Sequence, residues 1–152
     1  MTPLTHHVIF LLLPTVLLLL TTTANLGHSR LLYSTADCVN ILTEGNATQF
    51  LSEGGVDGGI HLVLFYAGWC SHCRNMVPLF KQFIGRTKRA GWSSRLVDIS
   101  VVACAEEDRK GKWSAVCRRY SVSSVPTFKL FPPRPNTTDV GTELSRKQQY
   151  CF

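Results

Sequence analysis

The feature that most constrains this chain is an unbroken apolar segment, residues 61–66, that ends close to two cysteines. Its sequence His-Leu-Val-Leu-Phe-Tyr favours a strand, and its apolar character is continuous rather than alternating. A strand that is apolar on both faces must be covered on both sides, so the segment predicts a central strand of a sheet. From Ser71 onward apolar residues recur at helical spacing. Cys70 and Cys73 are therefore predicted at the junction of a buried strand and a helix.

The rest of the chain alternates strand and helix patterns. The helix that begins at Ser71 is expected to stop before Gly91 and to bend at Pro78, which removes a backbone hydrogen bond. Further elements are predicted as a partly helical lead-in at 34–52, a strand at 96–103, a short helix at 113–120 and a strand at 127–131. This order predicts an α/β fold with a right-handed crossover between parallel strands.

The N-terminal residues 1–27 are predicted to be a signal peptide, and 28–152 the domain proper. Residues 8–20 are almost wholly apolar, which is shorter than the roughly 20 residues that span a bilayer, and a zone of small polar residues follows. An uncleaved anchor helix is the alternative. With the leader removed, no membrane span is expected, and the protein is placed in the secretory pathway (the ER or Golgi lumen) or outside the cell.

Cysteine content and glycosylation motifs point to the same compartment. Six cysteines in a secreted chain of 152 residues usually mean disulfides. Asn46 and Asn136 each begin an Asn-x-Thr motif and are candidate glycosylation sites if they lie on exposed loops. The net charge of +6 comes from scattered basic residues that are not interleaved with aromatics, so no nucleic-acid partner is expected.

The spacing of Cys70 and Cys73 suits disulfide exchange. Unpaired backbone N–H groups at a helix N-terminus favour a negative charge, and the thiolate is the nucleophile in such exchange. Cys70 is then expected to attack a disulfide and the more buried Cys73 to resolve the product. His72 lies between them and is expected to stabilise the thiolate, while Trp69 forms an apolar wall.

Other interpretations of the cysteine pair remain open. A structural zinc site needs four ligands, and no second close pair of Cys or His is present, so no metal is expected. The pair can also be an inert structural disulfide. A third alternative is a non-catalytic module that binds client proteins on the same scaffold, in the manner of a chaperone.

Residues 65–73, Phe-Tyr-Ala-Gly-Trp-Cys-Ser-His-Cys, resemble the active-site segment of protein disulfide isomerases. Pro78 matches the helix-kinking proline of that family, and 124–127 (Ser-Val-Pro-Thr) resembles its cis-proline loop. The resemblance implies a thioredoxin-like fold with a mixed central sheet flanked by helices. It also implies that Pro126 presents the Val125 backbone to the substrate and keeps metal away from the cysteines.

A narrower resemblance is to the first thioredoxin-like domain of quiescin sulfhydryl oxidases. It rests on 102–107 (Val-Ala-Cys-Ala-Glu-Glu) and 116–118 (Val-Cys-Arg), and covers roughly 34–131. It implies a structural disulfide between Cys104 and Cys117, and protein thiols in the secretory pathway as substrates. No cofactor is expected in this segment, whereas FAD is implied for a later domain of the full-length family. The pairing of Cys38 and Cys151 stays open.

The sequence departs from these families at three places. Leu64 stands where a buried acid usually lies, six positions before Cys70, so release of a mixed disulfide is expected to be slow. Ser71 replaces the usual glycine between the cysteines. Residues 141–152 are too few and too polar to supply the last strand and helix, so the fold is expected to be incomplete there. The expected activity is thiol–disulfide exchange, with thiol oxidation only where a flavin domain follows.

Overall fold

The computed structural model describes residues 31–53, 59–92, 96–105, 113–133, 135–136 and 138–145. After a 3-10 turn at Thr35–Asp37, its elements are β1 (Asn40–Leu42), α1 (Ala47–Glu53), β2 (Ile60–Ala67), α2 (Ser71–Arg89), β3 (Val97–Ala105), α3 (Ala115–Arg119), β4 (Thr127–Phe131) and β5 (Thr142–Glu143). The predicted signal peptide at 1–27 and Cys151 lie outside the described residues.

The strands form one mixed sheet in the order β1-β3-β2-β4-β5. Strands β1 and β2 run parallel to β3, whereas β4 is antiparallel to both β2 and β5. Strand β2 lies in the middle, and every residue from His61 to Ala67 is buried. The prediction of a central strand, and with it the thioredoxin-like α/β fold, is confirmed.

Strand β2 supplies side chains to two separate cores because successive residues of a strand point to opposite faces. Leu64 and Tyr66 join a cluster that includes Cys73, Phe80 and Ile84 of α2, which we call the α2-side core. Val63 and Phe65 join the core on the other face, which includes residues of α1 and α3. The continuous apolar run is thus the consequence of burial on both faces.

The predicted elements differ from the observed ones mainly at the two ends of the sheet. The lead-in was expected to be partly helical, and α1 agrees, but β1 precedes it and pairs with β3 through Ile41 and Leu42. Three residues are too few to show a strand period. At the other edge, β5 has two residues and pairs with β4, so a short last strand is present. The final helix was also expected to be missing, and that expectation falls on 146–152, which lie outside the described residues.

Candidate active site

The two cysteines lie where β2 passes into α2. Cys70 is the N-cap of α2, with an extended backbone (φ −74°, ψ 116°), and its Sγ accepts a hydrogen bond of 3.2 Å from the Cys73 N–H. Its own N–H donates to the Ala67 carbonyl at 3.1 Å, which closes the turn between strand and helix. The sulfur of Cys70 therefore occupies the position of a capping oxygen, next to the unpaired N–H groups of the first turn.

The two thiols differ in environment. Cys70 retains 6% of its surface exposed, whereas Cys73 has none and belongs to the α2-side core. Burial raises the pKa of the Cys73 thiol to about 12, and its contact with Cys70 adds to the rise. Both cysteines are free thiols, so the structure holds the reduced dithiol. One thiol can reach a partner and the other is held neutral behind it.

A loop distant in sequence closes over Cys70. The Val125–Pro126 peptide bond is cis, and the Val125 carbonyl accepts a contact of 3.6 Å from the Cys70 thiol. Trp69 packs against the α2-side core, and its indole N–H is buried without a partner among the described residues. The structure therefore brings Cys70 together with the Val125–Pro126 loop. Trp69, which precedes Cys70 in the chain, completes the set of residues that the sequence assigned to this site.

The first turn of α2 carries two basic side chains. His72 is exposed, and among the described residues the Cys70 sulfur accepts a hydrogen bond from the Cys73 N–H and donates to the Val125 carbonyl. Its tuning role stays a prediction. Arg74, which the sequence analysis missed, donates from Nη1 to the Gly68 carbonyl at 2.9 Å and so links the helix to the turn before it. In the sequence, the position of Arg74 directly after Cys73 could have indicated that it belongs to this site.

Leu64 is fully buried in the α2-side core together with Cys73. It pairs with Val101 of β3 on one side and with Phe128 of β4 on the other. No Asp or Glu is buried anywhere in the part of the chain that the structure describes. The position that usually holds an acid is thus apolar in its surroundings as well as in its side chain.

The remaining cysteines have different surroundings. Cys104 and Cys117 form a disulfide with an S–S distance of 2.04 Å, which joins the end of β3 to α3, and both are fully buried. Cys38 is an exposed free thiol with the Lys88 ammonium 3.0 Å from its sulfur. Within the described ranges no three His, Cys, Asp or Glu side chains come together as metal ligands would.

Both candidate glycosylation sites lie on exposed turns. Asn46 Oδ1 accepts from the Thr43 N–H at 2.7 Å, and its Nδ2 donates to the Ile41 carbonyl at 3.3 Å. Asn136 Oδ1 accepts from both the N–H (3.0 Å) and the hydroxyl (2.7 Å) of Thr138. Among the residues with described structure, no helix has the length and apolar character needed to cross a membrane.

Sequence comparison places this geometry among known proteins. The family profile described as thioredoxin matches residues 39–149. "Probable protein disulfide-isomerase A6" of Medicago sativa is 39% identical over 97 residues, which is 64% of this chain and 23% of that protein. "Sulfhydryl oxidase 2" of Homo sapiens is 30% identical over 105 residues, 69% of this chain and 14% of that protein. The chain therefore spans less than a quarter of the length of these two relatives.

Solved structures show the same fold. The J-Trx1 fragment of ERdj5 superposes with a TM-score of 0.55 at 20% identity and covers 77% of this chain and 48% of that one. Human ERp44 form II superposes with a TM-score of 0.54 at 24% identity, covering 80% and 27%. The cis-proline loop, the strand-to-helix junction and the matching family profile agree, and the chain belongs to the thioredoxin family.

Proposed function

We propose that this chain is an enzyme that exchanges disulfides with protein thiols in the secretory pathway. The observation that carries the proposal is the Cys70 sulfur at the start of α2, where it accepts the Cys73 N–H at 3.2 Å and faces the Val125 carbonyl. The N-terminus of a helix favours a negative charge, and the thiolate is the form of cysteine that performs exchange. Similarity to protein disulfide isomerases and a sulfhydryl oxidase supports the same chemistry.

The reaction has two displacements. When the enzyme is oxidised, a substrate thiolate attacks Cys70 Sγ, forms a mixed disulfide and displaces Cys73 as a thiolate, which takes up a proton. A second substrate thiolate then attacks the substrate sulfur of the mixed disulfide, which gives a substrate disulfide and releases Cys70. Isomerisation and reduction use the reverse steps, with Cys73 losing its proton to release the substrate.

The side chains around Cys70 are suited to holding an extended substrate chain. Val125 and Pro126 lie beside the sulfur, and we assign to the Val125 backbone the pairing with the substrate backbone. His72 and Arg74 add basic character to the first turn of α2, and no acidic residue is buried among the described residues, which favours the approach of a thiolate. Trp69 supplies an apolar surface for side chains that flank the substrate cysteine.

The narrower assignment is the thioredoxin domain of a flavin-linked sulfhydryl oxidase. The human relative, 30% identical, and the disulfide between Cys104 and Cys117 support it. In that family FAD belongs to a different domain and accepts electrons from the dithiol, so this chain's own residues would supply only the exchange steps. Thiol oxidation by oxygen therefore requires such a domain in the same protein.

A client-binding module is the second candidate, and the buried Leu64 favours it. Because Cys73 has a pKa of about 12 and no buried acid beside it, a partner captured on Cys70 would leave slowly. Slow release turns an exchange enzyme into a covalent holder. The two candidates differ in the lifetime of the mixed disulfide, not in the site.

The test is a trapping experiment in secretory cells with Cys73→Ser. Exchange predicts mixed disulfides with secretory proteins that disappear on reduction and in the Cys70→Ser/Cys73→Ser double variant. A matched Cys38→Ser variant controls for the exposed thiol outside the site. If Cys73→Ser traps no more protein than the double variant does, the proposed function is wrong. If the unmodified chain traps as much as Cys73→Ser, the holding module is the better description.

A further inference from the structure

The outer face of α2 carries a stripe of exposed side chains that starts beside the dithiol. Residues three or four apart along a helix lie on one face, and this spacing runs from the first turn of α2 to its last. The members of this stripe, which we call the α2 stripe, are all exposed: His72, Asn75, Leu79, Gln82, Arg86 and Arg89. The opposite face, with Cys73, Phe80 and Ile84, packs into the α2-side core. The α2 stripe is therefore the face of the helix that a substrate on Cys70 can contact.

The charged side chains of α2 all have the same sign. The helix carries five Lys and Arg residues and no Asp or Glu in its 19 residues. Among the described residues, the carboxylate that pairs with this helix is that of Asp37, which lies 2.8 Å from the Lys81 ammonium. No described carboxylate comes within 4.0 Å of the Arg86 or Arg89 guanidinium. Like charges at neighbouring helix positions repel each other, so carboxylates of a partner would relieve this repulsion.

Leu79 supplies an apolar contact in the middle of the α2 stripe. It is 61% exposed, the largest fraction among the large apolar residues that the structure describes. One exposed leucine is common on a protein surface, so its position is the informative feature. It lies between the dithiol and the two arginines, and the amides of Asn75 and Gln82 flank it with donors and acceptors for an extended chain.

The length of α2 fixes which substrate residues reach each part of the stripe. A helix rises about 1.5 Å per residue, so Leu79 lies about 14 Å from Cys70 along the axis and Arg86 about 24 Å. An extended chain advances about 3.3 Å per residue. A substrate bonded to Cys70 therefore brings a residue about four positions from its cysteine over Leu79, and residues about seven to nine positions away over Arg86 and Arg89.

We propose that the α2 stripe binds an acidic segment of the substrate protein. The proposal rests on the proposed function, since the substrate is held on Cys70. An apolar side chain of the substrate covers Leu79, and carboxylates beyond it pair with Arg86 and Arg89. The preferred substrates are thus proteins in which a run of Asp or Glu lies about seven to nine residues from the reactive cysteine. Because exposed ion pairs are weak, the stripe selects among substrates that Cys70 captures and does not hold them alone.

The test measures how fast Cys70 captures peptides of different charge. The chain carries Cys38→Ser, Cys73→Ser and Cys151→Ser, which leaves Cys70 as the one cysteine outside the buried disulfide. Each peptide has one cysteine in a mixed disulfide with 5-thio-2-nitrobenzoate. A leucine stands at the fourth position from that cysteine on both sides, and Glu, Gln or Lys at the seventh to ninth. Attack of Cys70 on the peptide sulfur releases 5-thio-2-nitrobenzoate, whose absorbance gives the rate.

At low ionic strength the Glu peptide should react about three- to tenfold faster than the Gln peptide, the size of two exposed ion pairs, and the Lys peptide should be slowest. Arg86→Gln/Arg89→Gln should remove this advantage and leave the Gln-peptide rate unchanged. Added salt should also remove it, because salt screens exposed charges. Thr48→Glu/Gln49→Glu on the exposed side of α1 is the matched control, since it also lowers the net charge by two, and it should retain the advantage.

Leu79→Ser tests the apolar contact separately. Because it removes a leucine that the substrate partly buries, it should slow the Glu and Gln peptides alike, by about fivefold. Leu96→Ser is the matched control, since Leu96 is 57% exposed and lies outside α2, and it should leave both rates unchanged. Equal rates in the two leucine variants would show that no substrate side chain covers Leu79.

A Glu peptide that reacts no faster than the Gln peptide overturns the proposal. An equal loss in the α1 control also overturns it, because the effect would then come from net charge. If the stripe joins two copies of this chain instead, sedimentation will show a dimer that Arg86→Gln/Arg89→Gln dissociates, with no preference among peptides.

Failure of the proposed function has a different result, in which Cys70 captures the Gln peptide no faster than free cysteine does. Fluorescence anisotropy then compares binding of Glu and Gln peptides that carry serine in place of cysteine. Tighter binding of the Glu peptide, lost in Arg86→Gln/Arg89→Gln, leaves the α2 stripe standing without exchange. Equal binding of the two peptides overturns it.

Discussion

Replacement of Leu64 by glutamate tests whether Leu64 slows the release step of the proposed exchange reaction. Leu64 shares the α2-side core with Cys73, so a carboxylate at position 64 would enter the surroundings of that thiol. Burial would raise the pKa of the new carboxyl toward neutrality, which is where a general base is most effective. The expected result is faster release of a substrate held on Cys70, with little change in the initial attack.

The magnitude follows from the pKa of Cys73. In the free dithiol the value is about 12, which leaves a thiolate at pH 7 in about one molecule in 10⁵, and burial, the largest cause, still applies when Cys70 is bonded to a substrate. Resolution without a base is limited by that fraction, and its rate should rise about tenfold per pH unit. General-base catalysis typically contributes about 10² to 10⁴, so we expect Leu64→Glu to speed release by at least about 10² at pH 7 and to flatten its pH dependence.

Leu64→Gln is the matched control because glutamine is polar and has nearly the same shape as glutamate, but it cannot accept the proton of the Cys73 thiol. Both variants replace a fully buried leucine and should lower the free energy of unfolding by about 2–5 kcal/mol. The assay loads Cys70 with a glutathione mixed disulfide and follows the appearance of glutathione after rapid mixing, with unfolding measured in parallel. Equal release rates in Leu64→Glu, Leu64→Gln and the parent chain would refute the reasoning.

Three further predictions follow from features outside the dithiol. Replacing both Cys104 and Cys117 by alanine should lower the free energy of unfolding in urea by about 2–4 kcal/mol, given the 13-residue separation, while leaving labelling of Cys70 unchanged. Burial lowers the pKa of His61 in the folded chain, partly opposed by the Asp98 carboxylate 4.0 Å away. The unfolded chain then binds the extra proton, so stability should fall as the pH drops below about 6.5, by up to about 1.4 kcal/mol per pH unit, and His61→Leu should show a smaller loss between pH 7.5 and 5.5. In a secreting eukaryotic cell, Asn46→Gln and Asn136→Gln should each remove one step of endoglycosidase-sensitive mobility; because both asparagines also hydrogen-bond within their turns, each variant should lower the melting temperature slightly.

The sequence predicts the centre of the fold better than its edges. Residues 127–131 were predicted as a strand and form β4 with the same bounds, and α2 begins at Ser71 and ends before Gly91 as expected. These segments carry clear apolar patterns because α2 packs into the α2-side core, and β4 contributes side chains to the cores on both faces of the sheet. Strand β1 was missed since its three residues owe their conformation to pairing with β3, which is a long-range contact that a local pattern does not record.

The candidate active site also combines parts that follow from local sequence with parts that depend on long-range contacts. The junction that holds Cys70 and Cys73 is a local consequence of a buried strand followed by a helix, so its position could be predicted from spacing. The partners from other parts of the chain could not be derived from spacing. The cis bond before Pro126 was implied only by resemblance. Arg74 was overlooked because its contact is with a backbone carbonyl.

In the proposed reaction, capture of a substrate on Cys70 and its release by Cys73 depend on different parts of this molecule. Capture uses the backbone: the Cys73 N–H and the helix N-terminus act on the Cys70 sulfur, and neither depends strongly on the surrounding side chains. Release uses core side chains, because the charge on Cys73 has to form in the α2-side core, where Leu64 is apolar. Substitutions in the α2-side core should therefore change the lifetime of a mixed disulfide without changing how fast it forms. That separation allows one scaffold to serve as an exchange enzyme or as a covalent holder.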